Sequence, residues 1–384
     1  MKRIQKIKEV CTISGGYAFK SNDFTRQGIP IIRIGDISGN KVKISSGTVF
    51  FEEYNEKLNK FIIEKGDILV ALSGATTGKF GIYDEEIQAL LNQRVAKISP
   101  KENINNKYLY HYMNKLQNII YNKALGCAQP NISPNEIGEI EIYVPSRLEQ
   151  DKISDVLDIA KDLIDKRKKQ IEELDLLVKS KFIEAFGDLK YNSKKWSILN
   201  FNDFAIIDTN MTKDFETYKE YPHIGIDSIE KNTGNILEYS LVKDCNLKSG
   251  KYIFDERHII YSKIRPNLNK VALPNFKGLC SADSYPILCN KGIIERIYLG
   301  YVLRSEFFLN YILNFSGRTN IPKVNKEQLK GFNMPVPPIE LQNKFADFVK
   351  QVDKLKFEME KSLKELEDNF NSLMQKAFKG EILI

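Results

Sequence analysis

The sequence predicts an α+β protein in which two domains of mixed, strand-rich fold are separated by two long antiparallel coiled-coil helices, with pseudo-twofold symmetry. Three observations lead to this prediction. Features of the first half recur at an offset of 191 or 192 in a chain of 384 residues, so the chain is an internal duplication. Each half contains short β-branched and aromatic runs bounded by turn residues, which are typical of strands. Each half then ends in a charged segment with apolar residues alternately four and three positions apart.

The duplication is recognised by the spacing of matched features more than by sequence identity, because these features keep an offset of 191 or 192 along the chain. Matched pairs are Pro30 and Pro222, Lys79 and Lys270, Gln150 and Gln342, and Ala185 and Ala377. The predicted segments are a first domain at 1–146, a central long helix at 147–188, a second domain at 189–338 and a C-terminal long helix at 339–384.

The two domains are predicted to contain short strands and amphipathic helices. In the first domain, runs bounded by Gly, Pro, Asn and Ser predict strands at 29–37, 41–51, 67–72, 81–83 and 94–98. Aromatic and aliphatic residues at helical spacing predict helices at 106–122 and 296–314. We interpret the tyrosines and phenylalanines of these helices as core residues.

The long charged segments carry the clearest periodicity. Their apolar residues follow the a/d spacing of a coiled coil from Ile153 to Ala185 and, 192 positions later, from Phe345 to Ala377. Proline precedes each segment and glycine follows it, as at helix boundaries. We therefore favour an intramolecular antiparallel pair over two separate solvated helices. The residues predicted to pair the helices are Ile153, Leu157, Ile164, Ile171, Leu174, Val178, Phe345, Val349, Val352, Met359, Leu363, Leu366 and Phe370.

The net charge of +7 is distributed unevenly along the chain. Residues 1–146 hold 19 Lys and Arg against 15 Asp and Glu, and residues 189–338 hold 21 against 15. The segments 147–188 and 339–384 hold 9 against 11 and 8 against 9. Excess basic charge is therefore confined to the predicted domains, which weakly favours a nucleic acid as ligand.

Several classes of protein are disfavoured by missing features. No run approaches ~18 apolar residues, and the N-terminus lacks the apolar core of a secretory signal. Five cysteines without C-x-x-C spacing and three scattered histidines predict buried thiols in a reducing cytoplasm and no metal site. No Asn/Asp-Pro-Pro-aromatic run is present, and no G-x-G-x-x-G, H-E-x-x-H or G-x-S-x-G motif. These absences predict a binding protein that is not an enzyme.

A polar loop ending in lysine occurs at the same place in both halves. In the first half, residues 74–80 resemble a phosphate-binding loop, but the run is one residue short and has Phe80 where magnesium requires a hydroxyl. The matching run at 265–270 contains no glycine. Such a loop suits a DNA phosphate or base edge at least as well, so we predict DNA rather than a nucleotide as the ligand.

The order of these features resembles the specificity (S) subunit of type I restriction–modification enzymes over the whole chain. In the first half the resemblance rests on residues 66–74, on Gly78-Lys79, and on Val144-Pro145 followed by 148–150. In the second half it rests on residues 260–267, on Lys270, on 318–323, and on Val336-Pro337 followed by Leu341-Gln342. Each motif alone is loose, and their doubled order makes the resemblance specific.

The resemblance implies a non-catalytic DNA-binding subunit. Each domain would be a target-recognition domain for one half of a bipartite DNA site, and the helices would space the domains. We expect the site to be asymmetric, because the polar loops of the two domains carry different side chains. Two modification (methyltransferase) subunits carrying S-adenosylmethionine would dock on the helices. Restriction subunits, which use ATP and Mg²⁺, would then join. No cofactor would be bound by this chain itself.

The candidate DNA-binding residues are polar side chains near the duplicated loops. Arg and Lys suit guanine or phosphate, whereas Asn and Gln suit adenine. In the first domain they are Arg33, Ser73, Thr76, Lys79, Asn92, Gln93, Arg94, Gln129 and Asn131, and in the second Lys263, Arg265, Asn267, Asn269, Lys270, Ser284, Arg318, Asn320 and Lys323.

Two other functions remain open for such a sequence. A methyltransferase fused to a specificity module is opposed by the missing methyltransferase motifs. A coiled-coil DNA-binding scaffold outside a type I system is opposed by the excess basic charge, which is confined to the predicted domains.

Overall fold

The computed structural model describes residues 4–52, 56–125, 129–315 and 322–381. The chain divides into two compact units. The first unit comprises residues 1–168 and 361–384, and the second comprises 169–360. Both boundaries fall inside the long helices, so each unit contains part of both helices. None of the helices among the described residues has the length and apolar character needed to cross a membrane.

The first half of the chain contains twelve strands and four α-helices among its described residues. In chain order they are β1 (Ile4–Lys6), α1 (Ile7–Val10), β2 (Cys11–Gly15), β3 (Ile29–Ile32), β4 (Ile37–Ser38), β5 (Asn40–Val42), β6 (Val49–Phe51), β7 (Ile62–Ile63), β8 (Ile68–Ala71), β9 (Phe80–Tyr83), β10 (Ala89–Leu91), β11 (Val95–Pro100), α2 (Asn106–Ala124), α3 (Pro134–Gly138), β12 (Glu141–Tyr143) and α4 (Arg147–Phe186).

The strands of the first unit form two main sheets and one short pair. The larger sheet has the order β2-β11-β8-β9-β5-β4, the smaller has the order β6-β3-β10-β7, and β1 pairs with β12. Strands β3 and β10 are parallel, with Ile31 opposite Leu90. Their carboxyl ends therefore meet at one edge of the smaller sheet.

The second half contains eleven strands and five α-helices among its described residues. They are β13 (Ser197–Asn200), α5 (Phe201–Phe204), β14 (Ala205–Ile207), β15 (Met211–Thr212), β16 (Pro222–Ile224), β17 (Ser240–Leu241), β18 (Lys251–Phe254), β19 (His258–Ser262), β20 (Val271–Ala272), β21 (Gly278–Cys280), β22 (Ser284–Cys289), α6 (Arg296–Arg304), α7 (Glu306–Leu313), α8 (Lys326–Lys330), β23 (Asn333–Val336) and α9 (Ile339–Lys379).

The second unit repeats the sheet plan of the first. One sheet has the order β14-β22-β19-β20, another has the order β15-β18-β21-β16-β17, and β13 pairs with β23. Strands β16 and β21 are parallel, as β3 and β10 are in the first unit, with Ile224 opposite Cys280. The predicted α+β class, with two strand-rich domains and two long helices, is confirmed.

Each unit has its own core, to which both long helices contribute. In the first unit, Ile153 and Leu157 of α4 are buried in the same cluster as Phe378 of α9 and the apolar face of α2. In the second unit, Val178 of α4 is buried with Phe345 of α9. This burial explains the stability of the long helices, because an amphipathic helix gains most from packing its apolar face.

The helices run antiparallel within each unit. In the first unit, Lys168 near the middle of α4 pairs with Glu367 of α9 at 2.7 Å, whereas Leu157 shares a core with Phe378. In the second unit, Lys356 pairs with Asp175 at 2.7 Å. The supercoil and the pseudo-twofold axis stay predictions.

Three local elements differ from the sequence prediction, and each has a side-chain cause. The predicted strand 41–51 is two strands, β5 and β6, which lie in different sheets, and the turn between them is closed by the Thr48 hydroxyl, which accepts the N–H of Ser45 at 3.0 Å. The run 29–37 is interrupted after β3 because the Asp36 carboxylate accepts the backbone N–H of Arg33 at 2.8 Å and closes a 3-10 turn. The predicted helix 296–314 is two helices, α6 and α7. Ser305 separates them, since its extended backbone begins α7 and its hydroxyl accepts the N–H of Phe308 at 3.4 Å.

Candidate nucleic-acid interface

The first unit brings its nine predicted residues to one edge. Arg33 directly follows β3 and Asn92 directly follows β10, and the N–H of Asn92 donates to the carbonyl of Ile32 at 3.2 Å. The turn that begins at Asn92 continues through Gln93 and Arg94 into β11. Parallel strands thus place Arg33 and the turn side by side.

Backbone hydrogen bonds attach the polar loop to that turn. The N–H of Leu72 donates to the carbonyl of Arg94 at 2.9 Å, and Ile132 donates to Leu72 at 2.9 Å. The N–H of Gly74 donates to the carbonyl of Pro130 at 2.9 Å. We call residues 33, 73–79, 92–94 and 129–131 the first edge.

The side chains of the first edge divide into supporting and available groups. The Arg33 guanidinium donates to the carbonyl of Gly47 at 2.8 Å, and Asn92 is 8% exposed with its carbonyl oxygen 3.4 Å from the N–H of Arg94. Both therefore hold the edge together. The side chains open to a ligand are Lys79, Gln93, Arg94, Gln129 and Asn131, all of which are exposed.

The second unit builds an equivalent edge with the same bonds. The N–H of Lys263 donates to the carbonyl of Asp283 at 3.0 Å, as Leu72 does to Arg94. The N–H of Arg265 donates to the carbonyl of Pro322 at 2.8 Å, as Gly74 does to Pro130. We call residues 263–270, 281–284 and 322–323 the second edge.

The two polar loops share an unusual backbone conformation. Gly74 and Gly78 have φ of 80° and 83°, and Arg265 and Asn269 have φ of 48° and 49° at the corresponding positions. A Cβ on Gly78 would lie 2.6 Å from the carbonyl oxygen of Gln117, so that position requires glycine. Each loop joins two antiparallel strands, whereas a phosphate-binding loop leads from a strand into a helix. The geometry agrees with the rejection of a nucleotide site.

Only some of the predicted side chains of the second edge are available. The Asn269 amide donates to the carbonyl of Arg304 at 2.8 Å, and the Lys270 ammonium donates to the carbonyl of Ile226 at 2.8 Å. Ser284 is 1% exposed. These polar groups are already used or buried within the unit, so Arg265, Asn267 and Lys323 are the exposed candidates. Arg318 and Asn320 lie outside the described residues.

Lys263 occupies a partly buried position on the second edge. Its ammonium donates to the carbonyl of Ala282, lies 5.3 Å from the ring centre of Tyr285, and is 3.8 Å from the Asp283 carboxylate. Burial lowers the pKa of Lys263, and the neighbouring Asp283 opposes that effect. The ammonium is therefore held in place by the fold rather than free in solvent.

Asp283 corresponds to Arg94 in the second unit and was not among the candidates predicted from the sequence. The offset between the halves is 191 at Gly74 and Arg265 but 189 at Arg94 and Asp283. The reason is that the stretch from the start of β20 to the end of β21, 271–280, is two residues shorter than the stretch from the start of β9 to the end of β10, 80–91. A fixed offset therefore cannot align this turn. The correspondence is found instead by aligning the strands on either side of the turn, β10 with β21 and β11 with β22.

Neither edge resembles a metal centre. Among the described residues, no group of three or more His, Cys, Asp or Glu side chains is arranged to hold a metal ion. The available groups are amides, guanidinium and ammonium groups and one carboxylate, which are the groups that bind phosphates and base edges.

Comparisons with known proteins agree with this geometry. A family model for the type I restriction modification DNA specificity domain matches the chain twice, at residues 2–176 and 193–368. The EcoDI specificity subunit of a type I restriction enzyme from Escherichia coli is 27% identical over 369 residues, covering 85% of this chain and 80% of that protein. The MjaIX specificity subunit from Methanocaldococcus jannaschii is 24% identical over 413 residues, covering 99% and 93%. The S subunit of a type I restriction-modification system from M. genitalium has a TM-score of 0.60 at 16% identity, covering 98% and 96%.

Proposed function

The chain belongs to the type I restriction–modification DNA specificity family, as the sequence predicted, and from this premise we propose that it binds a bipartite, asymmetric DNA site without itself catalysing a reaction. The observation that carries the proposal is the duplicated edge. The first edge would bind one half-site and the second edge the other.

The asymmetry of the site follows from the side chains that the edges present. The first edge offers Lys79, Gln93 and Arg94, whereas the second offers Arg265, Asn267 and Asp283. Donor and acceptor groups in different arrangements select different base edges in the major groove. A near-symmetric scaffold would therefore bind two unlike sequences.

The partners of the chain would be the modification and restriction subunits of the same system. A specificity subunit needs a surface on which a methyltransferase subunit can dock, and apolar side chains exposed on the long helices would supply it. In the first unit, Ile159 and Leu163 of α4 are 62% and 47% exposed, and in the second unit Ile183 is 63% exposed. Exposed apolar groups of this kind are typical of protein interfaces.

An exchange of domains tests the proposal. Residues 189–338 are replaced by a copy of 1–146, both long helices are kept, and the hybrid is co-expressed with its modification subunits. Methylated adenines in the genomic DNA are then mapped. We expect the wild-type complex to methylate an asymmetric bipartite sequence and the hybrid to methylate an inverted repeat of the first half-site. A hybrid that still methylates the parental sequence would contradict the assignment.

The non-catalytic role is tested with the chain alone. The purified chain should bind DNA weakly and should transfer no methyl group from S-adenosylmethionine, and it should not cleave DNA. Methyl transfer by rigorously purified chain would refute the proposed role.

A further inference from the structure

Asp283 and Arg94 occupy the same position in the backbones of the two units. Arg94 lies in the turn between β10 and β11, and Asp283 lies in the turn between β21 and β22. The carbonyl of each accepts the backbone N–H of the residue that follows β8 or β19. These bonds join Leu72 to Arg94 at 2.9 Å and Lys263 to Asp283 at 3.0 Å. Equivalent positions thus carry side chains of opposite charge.

The carboxylate of Asp283 lies among cations but remains accessible. Its Oδ1 is 3.4 Å from the ammonium of Lys323 and 3.8 Å from that of Lys263. The side chain is still 41% exposed. The carboxylate therefore has acceptor capacity left for a further ligand.

DNA offers few groups that a carboxylate can contact. Phosphates repel it, and the N7, O6 and O4 atoms of the bases are acceptors, as the carboxylate is. In the major groove only the amino groups of adenine and cytosine donate hydrogen bonds. A guanidinium has the opposite preference, since it donates to O6 and N7 of guanine. The flanking Lys263 and Lys323 offset the repulsion between the carboxylate and nearby phosphates.

We propose that Asp283 is a specificity-determining residue that accepts a hydrogen bond from the amino group of an adenine or cytosine in the second half-site. Arg94 contacts an acceptor edge, such as that of guanine, at the corresponding place in the first half-site. This inference rests on the proposed DNA-binding function. It adds that the two domains select the equivalent base pair with opposite hydrogen-bonding polarity.

The test uses the complete complex with modification subunits and compares wild type, Asp283→Asn and Asp283→Arg. Asp244→Asn is the matched control, because Asp244 is an exposed aspartate of the same unit and is not one of the second-edge residues. Methylation is measured on a DNA library randomised over both half-sites. Asparagine keeps the size and one acceptor oxygen but adds a donor, so we expect preference at one position of the second half-site to fall about tenfold. Arginine should shift that position towards guanine.

The outcomes separate this inference from the proposed function. If the wild-type complex has no bipartite preference, both are wrong. If the wild type is bipartite and the Asp283 variants keep its preferences, only the present inference is wrong. A loss of methylation that is equal for all sequences would also overturn it, because Asp283 would then act only as a counter-ion for the two lysines. The reciprocal variant Arg94→Asp should change one position of the first half-site and none of the second.

Discussion

Gln150 and Gln342 make the same three hydrogen bonds in their respective units, and both side chains are fully buried. Each carboxamide oxygen accepts a backbone N–H, and each carboxamide nitrogen donates to two backbone carbonyls. The partners are Asn105, Asn103 and Pro145 for Gln150, at 2.8, 3.1 and 3.0 Å, and Glu295, Ile293 and Pro337 for Gln342, at 2.8, 3.0 and 2.7 Å. In each unit the glutamine therefore connects the first turn of the long helix to the segment that precedes α2 or α6.

Removal of this side chain should destabilise the unit that contains it. Gln342→Ala leaves one backbone donor and two carbonyls without their buried partner, so we expect the free energy of unfolding to fall by about 2–3 kcal/mol. Urea unfolding is followed by the fluorescence of Trp196, the single tryptophan, whose indole N–H donates to the carbonyl of Phe186 at 3.1 Å in the same unit. Gln351→Ala, at an exposed position of the same helix, is the control and should leave the midpoint unchanged. Equal midpoints for both variants would contradict the prediction.

Replacement of Arg265 should affect the free energy of unfolding and DNA binding differently, because its backbone is strained. A φ of 48° is unfavourable for arginine, and the corresponding Gly74 adopts its φ of 80° at no such cost. Arg265→Gly should therefore preserve or raise the free energy of unfolding by up to about 1 kcal/mol. If the side chain contacts a base, both Arg265→Gly and Arg265→Ala should weaken discrimination at one position of the second half-site by ~1–3 kcal/mol.

The measurements for Arg265 are urea unfolding and competition between DNA sites that differ at one base pair. Weaker binding that is uniform across sequences would identify Arg265 as a phosphate contact. Unchanged DNA affinity in both variants would remove it from the interface.

The first unit should lose stability in mild acid because of His111. Burial lowers the pKa of His111 below its usual 6.5, although a contact of 2.7 Å with the Asp158 carboxylate opposes the shift. The unfolded chain, with the ordinary pKa, binds the proton first as the pH falls through 6.5. The free energy of unfolding therefore decreases from that pH downward until the folded pKa is reached.

Protonation of Asp158 also decreases the free energy of unfolding, but at lower pH. Burial favours its neutral form, but hydrogen bonds from Lys107 and His111 outweigh this effect and hold the pKa of Asp158 below its usual 3.8. His111→Gln keeps a donor for Asp158 without a titrating ring, so it should lose less stability than wild type between pH 7.5 and 5.5. Hydrogen exchange of the α2 amides at the two pH values measures the difference. Parallel losses in the two proteins would exclude His111 as the cause.

The long helices should set the number of base pairs between the half-sites. A deletion of four residues within 161–168 shortens α4 by ~6 Å and rotates the remainder of the helix by about 40°. Because the helices are antiparallel and Lys168 pairs with Glu367, the matching deletion belongs within 367–374 of α9. We expect the single deletion to abolish bipartite methylation and the double deletion to shorten the spacer by one or two base pairs, because DNA rises ~3.4 Å per pair. A spacer of unchanged length in an active double deletion would rule out this role.

Sequence patterns predicted the long helices and the fold class because heptad spacing is a local property that survives divergence of other residues. The break at Ser305 was missed because a single capping hydroxyl gives no periodic signal. Of the candidate site, the polar loops were predicted from the repeat, and Gly74 and Arg265 do correspond in the structure. Asp283 escaped because the offset between the halves changes along the chain. The use of Asn269 and Lys270 inside the unit depends on contacts with residues distant in sequence, which no local pattern reveals.

The position of Phe378 has a consequence for the order in which the protein folds during synthesis. Its ring is buried in the first unit, with its centre 4.5 Å from that of Tyr112 and 5.7 Å from that of Tyr108. A ribosome that adds ~5–20 residues per second delivers all of the second unit, which ends at 360, before this phenylalanine. The unit whose translation begins first is therefore the last to close its core. Until then Tyr108 and Tyr112 of α2 lack the ring that packs against them in the folded unit.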